Sequence, residues 1–434
     1  MNPPDKVPQK LKRKVGVGGA ILMGLGSILG TGVFVSVGIG FSMAGWMVLP
    51  AILVATCLAT LNGLSSAQLA AQHPVSGGTY AYGYRWLSPF LGFSAGILFL
   101  FAKSASAATA ALGCAIYGLE LIGLDSIAIR IGTATGIVVV MTLLVAGGLK
   151  RSHWMNVIIV SFTVIALTVF VVVALGVALP TKAWSQFKIG GDFPGFLTCC
   201  GLMFVAFTGY GRIATLGEEI VDPSRNIPRA IITTLVISGL LYAAIGLVYV
   251  TVFLGAEADA QIFTLKAVAN RLEIPWLQTL VAVAAMTAML GVLLNLLLGL
   301  SRVGLAMGRN GDLPGAFGRV NEKLDSPTHA VVGVGVFVAA LTLVGDVKLT
   351  WSFSAFTVLV YYALTNLAAT QLSSEERLYP AFLSWLGLCG CLGLAFFIDP
   401  MVIASGSIAL LVAGLARSVF RRSNSANNSG LREK

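Results

Sequence analysis

Apolar stretches of about 18 residues or more recur along the whole chain, each long enough to cross a bilayer as a helix. They stand near residues 15–40, 45–70, 89–119, 127–148, 154–179, 194–217, 228–255, 275–306, 329–345, 350–371, 380–397 and 400–418. Polar residues gather mostly in the gaps. The pattern predicts an all-α integral membrane protein with about twelve transmembrane helices. The longest polar gaps are 255–274 and 309–328. The first has helical periodicity around Leu265, Val268 and Leu272, and the second carries the turn residues Asn310-Gly311-Asp312 and Pro314. No long Pro- or Ser-rich linker divides the chain. We therefore expect a single membrane domain over 15–420, with polar tails at 1–14 and 421–434. The basic first tail leads into a segment of spanning length without a small-residue cleavage site, so it is read as the start of the first span.

Two of these stretches are interrupted in an unusual way. The first span contains Gly26-Ser27-Ile28-Leu29-Gly30-Thr31-Gly32-Val33-Phe34, and the sixth contains Phe204-Val205-Ala206-Phe207-Thr208-Gly209-Tyr210-Gly211-Arg212. Glycine is a poor helix former, so each cluster weakens its helix. Non-helical backbone at membrane depth is tolerated only where it is buried in protein or lines a cavity. Interrupted spans in corresponding positions of two halves point to a transporter's substrate site. Glycines that serve only close helix packing are the plainer alternative. The first five spans (about 15–180) and the next five (about 190–372) would form two halves. An odd number of spans per half inverts the second half relative to the first. Spans 11 and 12 (about 380–420) would be an appendage.

Composition agrees with a membrane protein: 57% of the 434 residues are hydrophobic and 11% charged, against about 25% charged in soluble domains. The net charge of +10 would suit a nucleic-acid binder, but its distribution does not. Counting gaps alternately from the N-terminus, 20 of the 28 Lys and Arg fall on the N-terminal side, 6 on the other, and Lys103 and Arg212 lie within spans. Such a bias marks the N-terminal side as cytoplasmic and places both termini there. The partners expected are then a lipid bilayer and a small solute, not nucleic acid, with the cell membrane as the location. The oligomeric state is not legible. The 6 Cys and 3 His show no metal-ligand spacing, and no HExxH, GxSxG or Walker motif is present, so neither an enzyme nor a metal or cofactor site is expected.

Four motifs, in order, resemble the amino acid–polyamine–organocation superfamily. Residues 26–34 resemble its G-[SA]-x-[IV]-G-[TS]-G-[IV]-F signature. Pro74-Val75-Ser76-Gly77-Gly78-Thr79-Tyr80-Ala81-Tyr82 is similar to P-x-[AS]-G-G-x-Y-x-Y. Glu218-Glu219 followed by Asp222-Pro223-Ser224-Arg225-Asn226-Ile227-Pro228-Arg229-Ala230-Ile231 is close to E-E-x-x-[ND]-P-x-R-x-x-P-[RK]-A-I. Arg302 with Ala306-Met307-Gly308-Arg309-Asn310-Gly311-Asp312-Leu313-Pro314 resembles R-x-x-x-A-M-[AG]-R-[DN]-G-x-L-P. Residues 330–434 match in hydropathy alone. The resemblance implies a 5+5 inverted-repeat fold with helices 1 and 6 broken, and a secondary transporter of amino acids working by alternating access. An exchanger or facilitator of another small amine or organic solute is the alternative; an intramembrane enzyme or receptor is a more distant one.

Candidate residues follow from the breaks. Backbone N–H groups freed around Gly30, Thr31 and Gly32 would begin a half-helix, whose positive end suits a carboxylate. Free carbonyls near Ile28 and in Ala206, Phe207 and Thr208 would suit an α-ammonium group. Gly209 completes the second break, and Phe207 and Tyr210 would either close over the substrate or pack ordinarily. The family often places an acidic residue where Gly211 stands here, which weakens a dibasic or polyamine substrate. Arg212 follows, as a coupling element or a structural ion-pair partner. Lys103, among small residues on one side of its span, is open to four readings: proton site, contact for a substrate carboxylate, fixed structural cation, or snorkelling or salt-bridged lysine. Some proton-coupled members carry a lysine in helix 5, seven residues after an asparagine; here Thr163 stands at that spacing from Asn156. The coupling ion is expected to be Na⁺, or H⁺ through another group. Gly77, Gly78, Glu218, Glu219 and Arg225 are inner-gate candidates.

Overall fold

The computed structural model describes residues 15–73, 77–124, 126–149, 153–179, 193–214, 220–253, 264–321, 324 and 326–430, the side chains of 153 and 419–430 excepted. Glu218 and Glu219 lie outside the described residues.

The first span is in two pieces, α1 (Val17–Ile28) and α2 (Val37–Ala44), joined through a wide helical turn over Gly32–Ser36. After a turn at Gly45 come α3 (Val48–Gln72), a short α4 (Thr79–Trp86), α5 (Pro89–Leu121), α6 (Ile127–Ala146) and α7 (His153–Ala178). The sixth span repeats the interruption: α8 (Phe193–Phe207), one tight turn Thr208–Tyr210, then α9 (Gly211–Ala214). The remainder is α10 (Pro223–Val252), a short α11 (Leu265–Arg271), α12 (Pro275–Arg309), α13 (Thr328–Thr342), α14 (Val347–Thr370), α15 (Ala381–Ala395) and α16 (Pro400–Gly430). Local chemistry sets several starts. Ser88 accepts from the Leu91 N–H ahead of Pro89, Asp346 from the Leu349 N–H, and Thr264 from the Ala267 N–H, so each caps an otherwise orphaned donor.

Nine helices among the described residues are long and apolar enough to cross a membrane, and the run Gly32–Gln72 counts as one of them. That run folds back at Gly45: a β-carbon at Gly40 would lie 3.1 Å from Val48 Cγ2, a contact that eight residues of straight helix would forbid. It therefore supplies the end of span 1 and all of span 2. With the two 15-residue apolar helices α13 and α15, the twelve expected spans are accounted for. The last candidate span is Pro400–Ser418, and its helix continues to Gly430 in the polar stretch that follows.

Packing shows the two halves to be related. α1 lies on α10 and α8 on α3; α5 lies on α14 and α12 on α7; α5 meets α12, α6 meets α13 and α3 meets α10. Exchanging the first five spans for the second five maps each of these pairs onto another or onto itself. The halves are also inverted. Val15, entering α1, pairs with Ile220, beyond α9, and the Val221 N–H donates to the Val15 carbonyl (3.0 Å). The face on which the first span begins is thus the face on which the sixth ends. At the centre, α5 carries the small residues Ser104 to Ala111 and is buried along most of its length, which lets neighbouring helices approach closely. Ile158, Leu240 and Phe396 are exposed on the outside, where hydrocarbon would cover them.

Candidate functional site

The first break leaves backbone donors open. α1 closes with the Leu29 N–H on the Leu25 carbonyl (2.7 Å). The helix resumes on the Gly30 carbonyl, which accepts from both Val33 and Phe34 (3.1 Å each). The N–H groups of Thr31 and Gly32 come between that acceptor and the first donor, Val33, where a helix start offers its N–H groups to an anion. The Thr31 hydroxyl is buried with no hydrogen-bond partner.

The two broken helices cross antiparallel in near-backbone contact. A β-carbon at Gly32 would lie 2.6 Å from Tyr242 Oη and 3.0 Å from Ala206 Cα. One at Gly209 would press on the Ser27 carbonyl oxygen and lie 2.7 Å from Ile28 Cγ1. The residue after one break thus meets the residue before the other, twice over, and glycine is required at both contacts.

Three helices pin the second break. From α10, the Tyr242 hydroxyl bridges the breaks, lying 3.0 Å from the Ile28 carbonyl and 3.1 Å from the Ala206 carbonyl. From α5, Lys103 Nζ donates to Thr208 Oγ1 at 2.8 Å, and that hydroxyl donates to the Val205 carbonyl (2.8 Å). From α14, Tyr362 Oη donates to the Thr208 carbonyl (3.4 Å). Lys103 is 9% exposed, and no described carboxylate pairs with it.

A cavity of about 1080 Å³ reaches both breaks. Of the nine residues expected at the substrate, Ile28, Thr31, Gly32, Ala206, Thr208 and Gly209 line it. Gly30, Phe207 and Tyr210 do not. Gly30 faces α12, with Val292 Cγ2 2.5 Å from the position of a β-carbon. Phe207 is fully buried against the Tyr242 ring (4.9 Å between centroids), and Tyr210 against Tyr362 (5.4 Å). Lys103 and Arg212 also line the cavity. Thr163 does not; its hydroxyl donates to the Ile159 carbonyl one turn earlier (2.8 Å), the ordinary fate of a threonine in a membrane helix. The pattern of spacings did not reveal Tyr242, nor the lining residues Ser106, Asn295 and Trp351. They stand in unbroken helices, where nothing in the one-dimensional pattern marks the inward face.

The cavity opens toward the face that carries the start of α1. Gly77 and Gly78, at φ +142° and +54°, line it there and turn the chain into α4. Arg225 is exposed on α10 and lies off the cavity wall. His73 accepts at Nδ1 from Arg85 (3.0 Å); burial and the adjacent guanidinium hold its imidazole below the ordinary range, so it is neutral at pH 7. Close by, α4 is locked to the loop after α12 and to α16. Asp312 accepts from Tyr80 (2.8 Å), Tyr84 (2.5 Å) and Arg417 (2.9 Å), and the Arg417 guanidinium lies 4.5 Å from the Phe93 ring centre. Burial pushes the Tyr80 hydroxyl up, which keeps it protonated as a donor to Asp312. Among the described residues, the other face is closed. Tyr117 Oη donates to the Phe34 carbonyl (2.8 Å) and accepts from the Leu265 N–H at the start of α11 (2.9 Å). All three residues are fully buried, and none lines the cavity.

Inverted halves, two broken helices crossing at the centre, and a cavity reaching both from one face define the class of membrane transporters. A profile of the amino acid permease family matches residues 19–427, and the chain belongs to that family. It is a transporter and not an enzyme. An uncharacterized transporter of Mycobacterium tuberculosis is 36% identical over 430 residues, covering 98% of this chain and 96% of that protein. A branched-chain amino acid permease of Bacillus subtilis is 28% identical over 355 residues, 77% of this chain and 75% of its own. A vacuolar cationic amino acid transporter of Arabidopsis thaliana is 26% identical over 384 residues, 82% of this chain and 63% of its own.

Proposed function

We propose that this permease is a secondary carrier of amino acids that works by alternating access, with substrate bound where the two broken helices cross. The single observation that carries this reading is the cavity itself. It reaches the donors at Thr31 and Gly32 from one face, while Tyr117, Phe34 and Leu265 close the other. A free amino acid needs both ends neutralised. The resumed helix at Thr31–Gly32 offers donors to the α-carboxylate, and the α-ammonium group takes the remaining lone pairs of the Ile28 and Ala206 carbonyls, beside the Tyr242 hydroxyl. Rocking of one bundle would open the sealed face and close the other. By the bias of Lys and Arg, the open face is cytoplasmic, with both termini inside and the protein in the cell membrane.

Coupling follows from what the fifth span lacks. Thr163 carries no proton and its hydroxyl is spent on its own helix, so coupling runs through Na⁺, through exchange, or through H⁺ at another group, with Lys103 the candidate. Purified protein in liposomes preloaded with unlabelled amino acids should accumulate labelled substrate by counterflow. Failure of every common amino acid to do so refutes the proposal. Imposed gradients then test the coupling: proton-driven uptake that survives Lys103→Ala and vanishes in Thr163→Ala refutes the assignment.

A further inference from the structure

We infer that the substrate carries a carboxylate on its side chain, and that Lys103 is the counter-charge that selects it. The inference rests on the proposed site and specifies what fills it. The described wall of the cavity contains no Asp or Glu. It contains Lys103 and Arg212 at the second break, Arg212 with a contact of its own, and Arg85, Arg302 and Arg309 toward the mouth. These last three arginines are solvent-exposed and give the entrance a positive potential, which concentrates anions and repels cations. Lys103 is different in kind. It is buried in the middle of α5, and its partner is a neutral hydroxyl, Thr208 Oγ1. A buried ammonium held by a neutral oxygen is poorly compensated, and intramembrane charges ordinarily find a partner of opposite sign.

A zwitterionic amino acid brings one carboxylate, and the proposed site gives it to the break in helix 1. Its α-carboxylate is accounted for by the N–H groups of Thr31 and Gly32, and its α-ammonium by the carbonyls of the two breaks. The ammonium of Lys103 remains over. A second carboxylate on the substrate supplies the counter-charge that Lys103 lacks. Gly211 sharpens the point: an acidic side chain at that position would have paired with a cation or with a basic substrate, and here there is none. A basic substrate would set a second positive charge against Lys103 in a site with no described carboxylate. The wall offers further polar contacts to an acidic side chain, notably Asn295 and Ser106.

The test is a competition panel on purified wild-type protein, followed by the same panel on Lys103→Gln and Lys103→Arg. Glutamate and aspartate should bind best, glutamine and leucine less well, and lysine and arginine least. In Lys103→Gln the preference for glutamate over glutamine should fall by about 30-fold or more, the scale for removing one member of a buried charge pair. Lys103→Arg should keep the preference for acids at reduced affinity. A merely structural lysine would weaken all substrates alike and leave the glutamate-to-glutamine ratio unmoved, and that result overturns the inference. So does wild-type protein that binds leucine or lysine as tightly as glutamate. Gly32→Leu separates the two readings. If a neutral or basic amino acid binds best and Gly32→Leu abolishes its binding, the site stands and the acidic class falls. If Gly32→Leu leaves binding intact, the site itself is wrong. Binding of no amino acid at all overturns both.

Discussion

The two broken helices solve one steric problem with different chemistry. The first break is bare: glycines flank Thr31, the helix restarts on the Gly30 carbonyl, and its leading N–H groups meet the cavity. The second is upholstered. Phe207 and Tyr210 bury themselves on Tyr242 and Tyr362, and Lys103 is tied to Thr208. On the proposed site the first break supplies backbone to hold what every amino acid shares, and the second sits beside the fixed charge of Lys103, which α5 of the first half brings to it. An inverted repeat thus fixes the crossing geometry but leaves each break free to take its own role.

The largest expected effect comes from filling the bare side. Gly32→Leu should abolish substrate binding while the protein remains monodisperse in detergent, because any side chain there meets the backbone of Ala206. Equilibrium binding within about 2-fold of wild type would mean that the crossing tolerates bulk and that the asymmetry drawn here is false. Next comes the joint between the breaks. Tyr242→Phe removes the hydroxyl shared by the Ile28 and Ala206 carbonyls and should cost about 1–3 kcal/mol of stability, the scale for leaving buried polar groups unsatisfied. Thermal unfolding in detergent reads this, and an unshifted midpoint would show that the two breaks hold their positions separately.

Smaller effects sharpen the contrast between a glycine that faces the site and one that faces a helix. Gly30→Ala should destabilise by about 1–3 kcal/mol through crowding against Val292, and Val292→Ala should restore stability and binding together. Rescue would not be expected had Gly30 lined the substrate. The least effect belongs to Thr163→Ala. Binding should change by less than about 2-fold, since that hydroxyl serves its own helix. A large loss, measured with and without Na⁺, would reassign the fifth span to coupling.

Spans and breaks were legible because a bilayer makes their signals collective: some eighteen apolar residues for a helix, a cluster of glycines for its interruption. The side chains around the breaks were only partly legible. Glycine spacing marks Gly30 and Gly32 alike, yet Gly30 packs on Val292 off the cavity wall while Gly32 packs on Ala206 and Tyr242 at the wall, a difference of helix rotation that spacing does not encode. Phe207 and Tyr210 looked equally suited to close over a substrate or to pack, and tertiary context chose packing. Tyr242 escaped notice because a lone tyrosine in an apolar helix carries no local mark of what its hydroxyl reaches. Lys103 was conspicuous as a charge in a span, but only the fold shows it beside the second break.

The central claim, that substrate occupies the crossing of the breaks, is tested most directly by protection from labelling. In a transport-competent variant with the six native cysteines replaced, Ser27→Cys places a thiol on the cavity wall beside Gly209. A membrane-impermeant maleimide applied from the face that carries the start of α1 should label it. Saturating substrate should slow that labelling about 10-fold or more, as occupancy at a hundred times the dissociation constant requires when substrate covers the thiol. Labelling at an unchanged rate under saturating substrate, in protein that still transports, would contradict the account.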